Sequence, residues 1–493
     1  MPQIRSNVTT RSLPISSNSF GESTSEPKRL SSIKFNSPEA RRFYVDGTQI
    51  PFVDWDAGPS YAGLMPVSNK PNEPRKFFFW FWPAQTAIGT NELTFWTNGG
   101  PGCSSLESLL QETGPISWQY GQAKPTRNPQ SWTLATSMLY VEQPIGTGYS
   151  EGTPQAFDQT DVSRDLFGFF LNWLSVFPEM RNKNFYLSGE SYAGYYLPYF
   201  ADYIFSHQNS FPLKLQGTFL ASPSLSWDVL RTQISIVPYV KRYEYVFAFN
   251  RTFMNKIEKL HEDCGYEEYL SKYLTYPPEP APFPIPSVGT FHDDEESDHA
   301  CDLSRMVSDA ARRGNEGSNY NILDTPPAFW DVLDAPQRWP GLKGDAVYFN
   351  REDVKKILHV PVQKEWKECQ RGVFPHGDHS TPPALSVLPG VIENSKRTII
   401  VTGQTDSMIL FNGVRVALQN MTWGGDQGFR SPIENDFIID GKGYGGRYST
   451  ERGLTYAELE KCGHMVPQYQ PQASLQLLRY LIGQDPSPSA AWT

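Results

Sequence analysis

The sequence predicts an α/β fold in which helices flank a mostly parallel central sheet, with a largely helical insertion. Short apolar runs rich in β-branched and aromatic residues alternate with helical stretches, first over residues 40–225 and again after residue 350. Such alternation is typical of strands joined by crossover helices. The predicted strands are 77–82, 93–97, 138–141, 185–188, 218–221, 398–402 and 454–459, and the predicted helices are 161–177, 193–206, 412–421 and 471–482.

The same patterns divide the chain into four parts. Residues 1–35 are rich in Ser, Asn and Pro, which predicts a flexible N-terminal tail or a pro-like segment. The core is expected in two parts, 36–227 and 341–493. Residues 228–340 between them are interpreted as an insertion that caps the core.

Within the insertion, amphipathic pieces are interrupted by a Pro-rich stretch (277–286), an acidic cluster (292–299) and the pair Arg312-Arg313. The Pro-rich stretch is typical of a rigid surface loop. For the arginine pair, a solvated surface position is favoured over a processing site.

Composition and charge exclude several classes of protein. A formal net charge of −10 at pH 7, with no basic stripe, argues against a nucleic-acid partner. No run of about 18 apolar residues occurs, so no membrane span is expected. The eight histidines show no metal-binding spacing, and His376 and His379 lie in a polar stretch expected to face solvent. We therefore expect neither a metal nor a cofactor; nothing in the sequence indicates an oligomeric state.

The motif Gly189-Glu190-Ser191-Tyr192-Ala193-Gly194 lies between a predicted strand and a predicted helix. Small residues on either side of a serine allow a sharp strand-to-helix turn that exposes the hydroxyl group. This arrangement predicts Ser191 as a nucleophile. A glycine-rich loop with an incidental serine is the alternative, because Ala193 occupies the position of the motif's last glycine.

A base and an acid for this serine are available in the C-terminal part. Asp406 follows the predicted strand 398–402, and His464 follows the predicted strand 454–459. A serine hydroxyl needs a base to take its proton, and the base needs an acid to orient it. The chain order Ser191, Asp406, His464 is that of the α/β-hydrolase fold. Individually, the aspartate is also typical of a turn and the histidine of a structural hydrogen bond.

A glycine-rich loop, Asn98-Gly99-Gly100-Pro101-Gly102, follows the predicted strand 93–97. Backbone N–H groups free of side chains can stabilise a tetrahedral oxyanion, which predicts this role for the loop. A plain Gly/Pro turn would explain the glycines but not the asparagine and cysteine around them.

Four blocks together resemble the signature of the serine carboxypeptidases, and the insertion is similar in style to that of fungal members. They are Trp96 to Ser105, Gln143 to Ser150, Gly189 to Gly194 and Gly463 to Pro467, with Asp406 between the last two. The resemblance implies an α/β-hydrolase fold. It also implies release of C-terminal amino acids from peptides or proteins through an acyl-enzyme, favoured at acidic pH.

The resemblance also implies roles for individual residues. It gives Ser191 as nucleophile, His464 as base and then acid, and Asp406 as its partner. The oxyanion hole would be formed by the N–H groups of Gly100 and Tyr192. Binding of the substrate's terminal carboxylate would fall to Asn98, the N–H of Gly99, Glu112 and Glu190.

Two carboxylates can bind a third only if they carry protons. If Glu112 and Glu190 lie close together and buried, repulsion and desolvation raise the pKa of the pair. Below that pKa they can donate hydrogen bonds to the substrate's carboxylate. This recognition favours a carboxypeptidase over the two alternatives, an acyltransferase with the same triad and a non-catalytic binding protein.

Five cysteines allow two disulfides. The resemblance implies a bond between Cys103 and Cys369, and Cys264 and Cys301 then pair within the insertion. Cys462, two residues before His464, is expected to be a buried free cysteine rather than a catalytic thiol.

Three asparagines, Asn7, Asn250 and Asn420, fit the glycosylation pattern. With the cysteines, they favour the secretory pathway and a secreted or vacuolar protein. Met1 to Thr10 lack the apolar core of a signal peptide, so we interpret the start as a mature form.

Overall fold

A computed structural model describes Phe35 and residues 37–119, 121–286, 301–314 and 347–491, with side chains as far as residue 311 in the third of these ranges. The predictions for the N-terminal tail, for Asn7, for the acidic cluster at 292–299 and for the side chains of Arg312-Arg313 lie outside the described residues.

An eleven-stranded sheet forms the centre of the described structure, in the order β1-β2-β3-β7-β4-β8-β9-β10-β15-β14-β13. The six strands from β7 to β15 in this order run parallel to one another, and the strands at both ends of the sheet pair antiparallel. The strands are β1 (Tyr44–Val45), β2 (Ser60–Pro66), β3 (Lys76–Trp82), β4 (Glu92–Thr97), β5 (Ile116–Ser117), β6 (Thr126–Arg127), β7 (Ser137–Glu142), β8 (Asn184–Glu190), β9 (Lys214–Ala221), β10 (Arg397–Gly403), β11 (Thr422–Trp423), β12 (Asp426–Gln427), β13 (Asn435–Ile439), β14 (Gly443–Glu451) and β15 (Leu454–Leu459).

Helices cover both faces of this sheet, as predicted for an α/β-hydrolase fold. They are α1 (Pro38–Arg41), α2 (Ser105–Gln111), α3 (Gln159–Val176), α4 (Ala193–Ser206), α5 (Asp228–Arg231), α6 (Ile236–Arg242), α7 (Glu244–Phe247), α8 (Arg251–Asp263), α9 (Tyr266–Tyr273), α10 (Leu303–Gly314), α11 (Glu352–Ile357), α12 (Leu388–Asn394), α13 (Phe411–Asn420), α14 (Val466–Tyr469) and α15 (Pro471–Leu481). None of the helices in the described ranges is long and apolar enough to cross a membrane.

Strand β3 shows why the central strands are continuously apolar. Successive side chains of a strand point to opposite faces. Phe77, Phe79 and Phe81 pack against α3 on one face. Phe78 packs against Tyr149 on the other face, in the same cluster as Trp80. Both faces are buried, so no polar alternation survives.

All the predicted strands and helices are present, with ends shifted by a few residues. Eight strands were not predicted: the two-residue strands β1, β5, β6, β11 and β12, and the longer strands β2, β13 and β14. β14 contains three glycines and half-exposed polar positions, a composition typical of loops. Antiparallel pairing to β15 keeps it in the sheet. β2 contains Gly63 and ends at Pro66, residues that weaken a strand pattern.

The insertion region carries helices α5 to α10 between β9 and α11. Their apolar faces form a separate cluster that includes Val237, Ile257 and Tyr266, and Leu410 and Val416 of the core join it. The helical region thus has its own packing centre and is attached beside the segment that follows β10.

Candidate active site

Ser191 lies at a sharp turn between the end of β8 and the start of α4. Its φ is 60°, a left-handed conformation that is strained for a non-glycine residue. A Cβ at Gly189 would lie 2.2 Å from the carbonyl oxygen of Thr97, and one at Gly194 would lie 2.4 Å from that of Ser224. Gly194 therefore provides the close packing expected of the motif's last glycine, and Ala193 is tolerated at the position before it.

Asp406 and His464 are brought together by the parallel pairing of β10 with β15. His464 Nδ1 lies 2.9 Å from Asp406 Oδ2. The backbone N–H groups of Met408 and Ile409 donate to Asp406 Oδ1 at 2.8 and 3.0 Å. Asp406 is fully buried, and these donors offset the cost of burying a carboxylate. This arrangement can orient the imidazole.

The glycine loop after β4 lies against the serine turn. A Cβ at Gly99 would lie 2.3 Å from the backbone nitrogen of Tyr192 and 2.9 Å from Ser191 Cβ. Gly100 has a φ of 106°, which favours glycine. The Tyr192 N–H lies at the N-terminus of α4, where helix geometry provides no intrahelical acceptor. The backbones of Gly100 and Tyr192, the two residues expected to form an oxyanion hole, thus belong to adjoining segments.

Asn98 is held in one orientation by four hydrogen bonds. Its Oδ1 accepts from Trp96 Nε1 at 2.8 Å and from Ser108 Oγ at 2.6 Å. Its Nδ2 donates to Glu190 Oε1 and to Glu107 Oε2, both at 3.1 Å. The hydrogen bond to Glu190 links the glycine loop to the residue before Ser191.

Glu112 and Glu190 form a buried pair, hereafter the carboxyl pair. Both are 4% exposed, and burial raises the pKa of each. The charge of Glu112 raises the pKa of Glu190 further, as like charges disfavour joint ionisation. Within the described chain, one oxygen of each, Oε2, lacks a hydrogen-bond donor. A protonated carboxyl group here can donate to a ligand.

The carboxyl pair adjoins the aspartate and histidine. The charge of Asp406 contributes to the raised pKa of Glu190, and the charge of His464 lowers that of Glu112. The segments that follow β4, β8, β10 and β15 therefore meet at one edge of the sheet, where Asn98 is bonded to Glu190 and His464 to Asp406.

The cysteines form the two expected pairs, Cys103 with Cys369 and Cys264 with Cys301. Cys462 is buried and belongs to neither disulfide, as expected. Its carbonyl oxygen accepts hydrogen bonds from the backbone N–H and the hydroxyl group of Thr405. These bonds connect the segment that carries Asp406 to the segment that carries His464.

The two glycosylation candidates within the described residues differ in exposure. Asn250 is exposed, and its Oδ1 accepts from the Phe253 N–H as the N-cap of α8. Asn420 is half-buried, and its Oδ1 accepts from the Phe283 N–H. Neither of these hydrogen bonds involves Nδ2, the atom to which a glycan would be attached. Within the described ranges, no group of three or more His, Cys, Asp or Glu side chains could hold a metal ion.

Sequence reasoning missed Glu142, a fully buried carboxyl group beneath the glycine loop. It accepts hydrogen bonds from the Tyr149 N–H at 2.6 Å, from Trp366 Nε1 at 2.8 Å and from the Ser104 hydroxyl. Burial raises its pKa to about 7. The available signal was its place before Gln143 in the second block, where a Cβ at Gly148 would collide with it.

Sequence reasoning also missed the contacts from α6 and from Tyr243, the residue after it. Tyr239 and Tyr243 donate to the carbonyl oxygens of Thr405 and Gln404 at 2.8 and 2.7 Å, and Arg242 Nη2 donates to Gln404 Oε1 at 2.6 Å. These contacts hold the segment before Asp406. No short motif marks them, because they depend on the packing of the insertion.

Comparisons with known proteins show which family the chain resembles. A sequence profile of the serine carboxypeptidase family matches residues 51–484. The chain is 41% identical over 481 residues to a probable serine carboxypeptidase of Arthroderma benhamiae, covering 92% of this chain and 89% of that protein. It is 37% identical over 467 residues to serine-type carboxypeptidase F of Aspergillus niger, covering 88% and 86%.

Among solved structures, it is similar to Kex1Δp, a prohormone-processing carboxypeptidase from Saccharomyces cerevisiae. The TM-score is 0.68 at 22% identity, over 91% of this chain and 97% of that one, a likeness that bears on the fold. With its parallel sheet and a profile match over most of its length, the chain belongs to the serine carboxypeptidase family.

Proposed function

We propose that this serine-type carboxypeptidase releases C-terminal amino acids through an acyl-enzyme formed on Ser191. In the first half, Ser191 Oγ attacks the carbonyl carbon of the last peptide bond, and His464 Nε2 takes the hydroxyl proton. His464 then gives this proton to the leaving nitrogen as the C–N bond breaks, which leaves an ester. In the second half, His464 takes a proton from water, the water oxygen attacks the ester, and the proton returns to Ser191 Oγ.

Asp406 keeps the imidazole in the tautomer that this cycle needs. Its hydrogen bond to Nδ1 leaves Nε2 as the proton acceptor and stabilises the imidazolium that forms. The N–H groups of Gly100 and Tyr192 stabilise the oxyanion of the tetrahedral intermediate. The contact of Gly99 with the Tyr192 nitrogen supports this assignment.

The free end of the substrate binds to Asn98, the Gly99 N–H, Glu112 and Glu190. A buried carboxyl pair with a raised pKa keeps its protons at acidic pH and donates them to the substrate's carboxylate. As the pH rises, the pair ionises and repels that carboxylate. Activity on peptides is therefore favoured at acidic pH.

One observation carries the proposal: the Asp406–His464 hydrogen bond adjoins the Asn98–Glu190 contact beside a strained Ser191. The first part suits acyl transfer, and the second suits a ligand with a free carboxylate. Together they suit removal of the last residue of a peptide rather than internal cleavage.

The test compares a blocked dipeptide with the same dipeptide amidated at its C-terminus, at about pH 5 and about pH 8. We expect release of the last residue from the free acid at the acidic pH, and much slower cleavage of the amide. Ser191→Ala should lose this activity and its labelling by a fluorophosphonate. Equal cleavage of both substrates would contradict carboxylate recognition, and internal cleavage of longer peptides would contradict the proposal as a whole.

We further propose that residues 228–340 cap the site and that the protein travels the secretory pathway to the cell exterior or a vacuole. The contacts of α6 with Gln404 and Thr405 support the cap. The two disulfides and the exposed Asn250 support the compartment. Glycosidase treatment of the protein from its own cells should lower its mass if Asn250 or Asn420 carries a glycan.

A further inference from the structure

A third carboxyl group adjoins the proposed site for the substrate's free end. Glu107, in the first turn of α2, accepts a hydrogen bond from Asn98 Nδ2, the nitrogen that also donates to Glu190. Its charge is among the causes that raise the pKa of Glu190. Glu107 is half-buried, whereas Glu112 and Glu190 are buried. It is therefore the most exposed of the three.

The hydrogen bonds of Asn98 imply an exchange when substrate binds. A side-chain amide nitrogen carries two protons, and Asn98 Nδ2 donates to Glu107 and to Glu190. A substrate carboxylate that binds Nδ2 must replace one of these acceptors. Because Glu107 is half-exposed, it can move with less loss of packing than the buried Glu190. The displaced carboxyl group of Glu107 then lies beside the C-terminal residue of the substrate.

The side chains near Glu107 lie on the side of the site that would hold the released amino acid. Gln111 is one helical turn further along α2, on the same face. Gln468 Nε2, in α14 just after His464, donates to Gln111 Oε1 at 3.3 Å and to Gln119 Oε1 at 3.0 Å. The face of α2 that carries Glu107 therefore adjoins the segment of the histidine that protonates the leaving nitrogen.

We propose that Glu107 is a specificity-determining residue for the amino acid that is released, and that it favours lysine or arginine there. The inference rests on the proposed function. Opposite charges attract more strongly at a half-buried position than in bulk water. A cationic side chain of the leaving residue compensates the displaced Glu107, whereas an acidic side chain is repelled by it.

The experiment measures kcat/KM for three blocked dipeptides that differ only in their last residue: lysine, leucine or glutamate. The enzymes are wild type, Glu107→Gln, Glu107→Asp and, as a matched control, Glu352→Gln on the exposed start of α11. Fluorophosphonate titration gives the concentration of active enzyme in each preparation, so a partly folded variant does not distort the result.

We expect Glu107→Gln to lower the lysine-to-leucine ratio of kcat/KM about tenfold and to raise the glutamate-to-leucine ratio. Glu107→Asp keeps the charge and should retain most of the lysine preference. Glu352→Gln should leave both ratios as in the wild type. Opposite shifts for the two charged substrates distinguish a charge effect from a structural one, which would lower all three rates together.

Two negative results have different meanings. If the wild type releases no residue from any of the dipeptides, the proposed function fails and this inference fails with it. If the wild type releases residues but both ratios stay within about twofold in Glu107→Gln, only the role of Glu107 is overturned.

Discussion

Asp406 and the carboxyl pair are two buried carboxyl sites beside one reaction centre, and they are surrounded differently. Asp406 accepts two backbone N–H bonds and contacts the imidazole of His464, which becomes a cation in the proposed mechanism. Glu112 and Glu190 face each other, and each keeps an oxygen without a donor in the described chain. Burial alone does not fix the role of a carboxyl group. Its partners make one site suited to stabilise a positive charge and the other suited to keep a proton.

Glu142 resembles the carboxyl pair more than it resembles Asp406. It is fully buried and receives donors, yet burial still raises its pKa to about 7. Its hydrogen-bonding partners are a backbone N–H, an indole and a hydroxyl group, which are neutral. Four substitutions probe these carboxyl sites and their supports.

The largest effect is expected from Asp406→Asn, which keeps the shape of the side chain but removes its charge. The imidazole loses the partner that sets its tautomer and stabilises its charged form. We expect kcat/KM to fall by about 10³–10⁴ for peptide and ester substrates alike. Steady-state kinetics test this, with Asp263→Asn on the exposed end of α8 as the control. A loss confined to peptides would place Asp406 in carboxylate binding instead.

The next effect concerns stability. The pKa of Glu142 is raised from 4.5 to about 7 in the folded protein. Its contribution to the free energy of unfolding is therefore fully present below the pKa of the unfolded state, and it is lost as the pH rises to about 7. This loss amounts to about 3 kcal/mol. Urea unfolding at several pH values should show a decline that is smaller in Glu142→Gln by about this amount and unchanged in Glu352→Gln. Parallel stability curves for wild type and Glu142→Gln would contradict this reading.

A smaller effect is expected from Glu190→Gln, because an amide can donate a hydrogen bond at every pH. For the wild type, KM for a peptide should rise about tenfold between pH 5 and pH 8 as the carboxyl pair loses its protons. KM for an ester without a free carboxylate should change little. The variant should show a flatter profile for the peptide. If the wild type gives the same pH dependence of KM for both substrates, the carboxyl pair does not act on the substrate's free end.

The smallest effect is expected at the contact between the insertion and the Asp406 segment. Tyr243→Phe removes the hydroxyl group that donates to the carbonyl oxygen of Gln404. We expect a loss of about 1 kcal/mol in the free energy of unfolding. A several-fold decrease in kcat should accompany it. Tyr245→Phe, at a side chain 92% exposed, is the control. Equal results for the two variants would show that this hydrogen bond does not support the site.

Much of this site could be predicted because it is encoded locally. The serine turn and the segments of Asp406 and His464 each follow a strand with a strong apolar signal, and parallel strands bring their carboxyl ends to one edge. The glycines at 99, 189 and 194 are required by approaches that no side chain could allow.

What could not be predicted depends on contacts between distant segments. Glu142 is remarkable in neither charge nor spacing, and only the packing of Trp366, more than 200 residues later, makes it a buried acid. Likewise, Glu107 gains meaning only through its contact with Asn98, and Tyr243 through the placement of the insertion. Strand β14 was missed because its glycines dominate the pattern, whereas its pairing with β15 is decided by the rest of the sheet.

The adjacency of Glu190 and Ser191 in the chain has a consequence for where a substrate is cut. Their Cα atoms are about 3.8 Å apart because one peptide bond joins them. In the proposed site, the carboxyl group that binds the substrate's free end and the attacking oxygen therefore belong to neighbouring residues, and this backbone spacing stays the same when surrounding loops change. Evolution can reshape the pockets on either side and so alter which amino acids are trimmed. In the proposed mechanism, this short spacing suits the release of one residue per cycle.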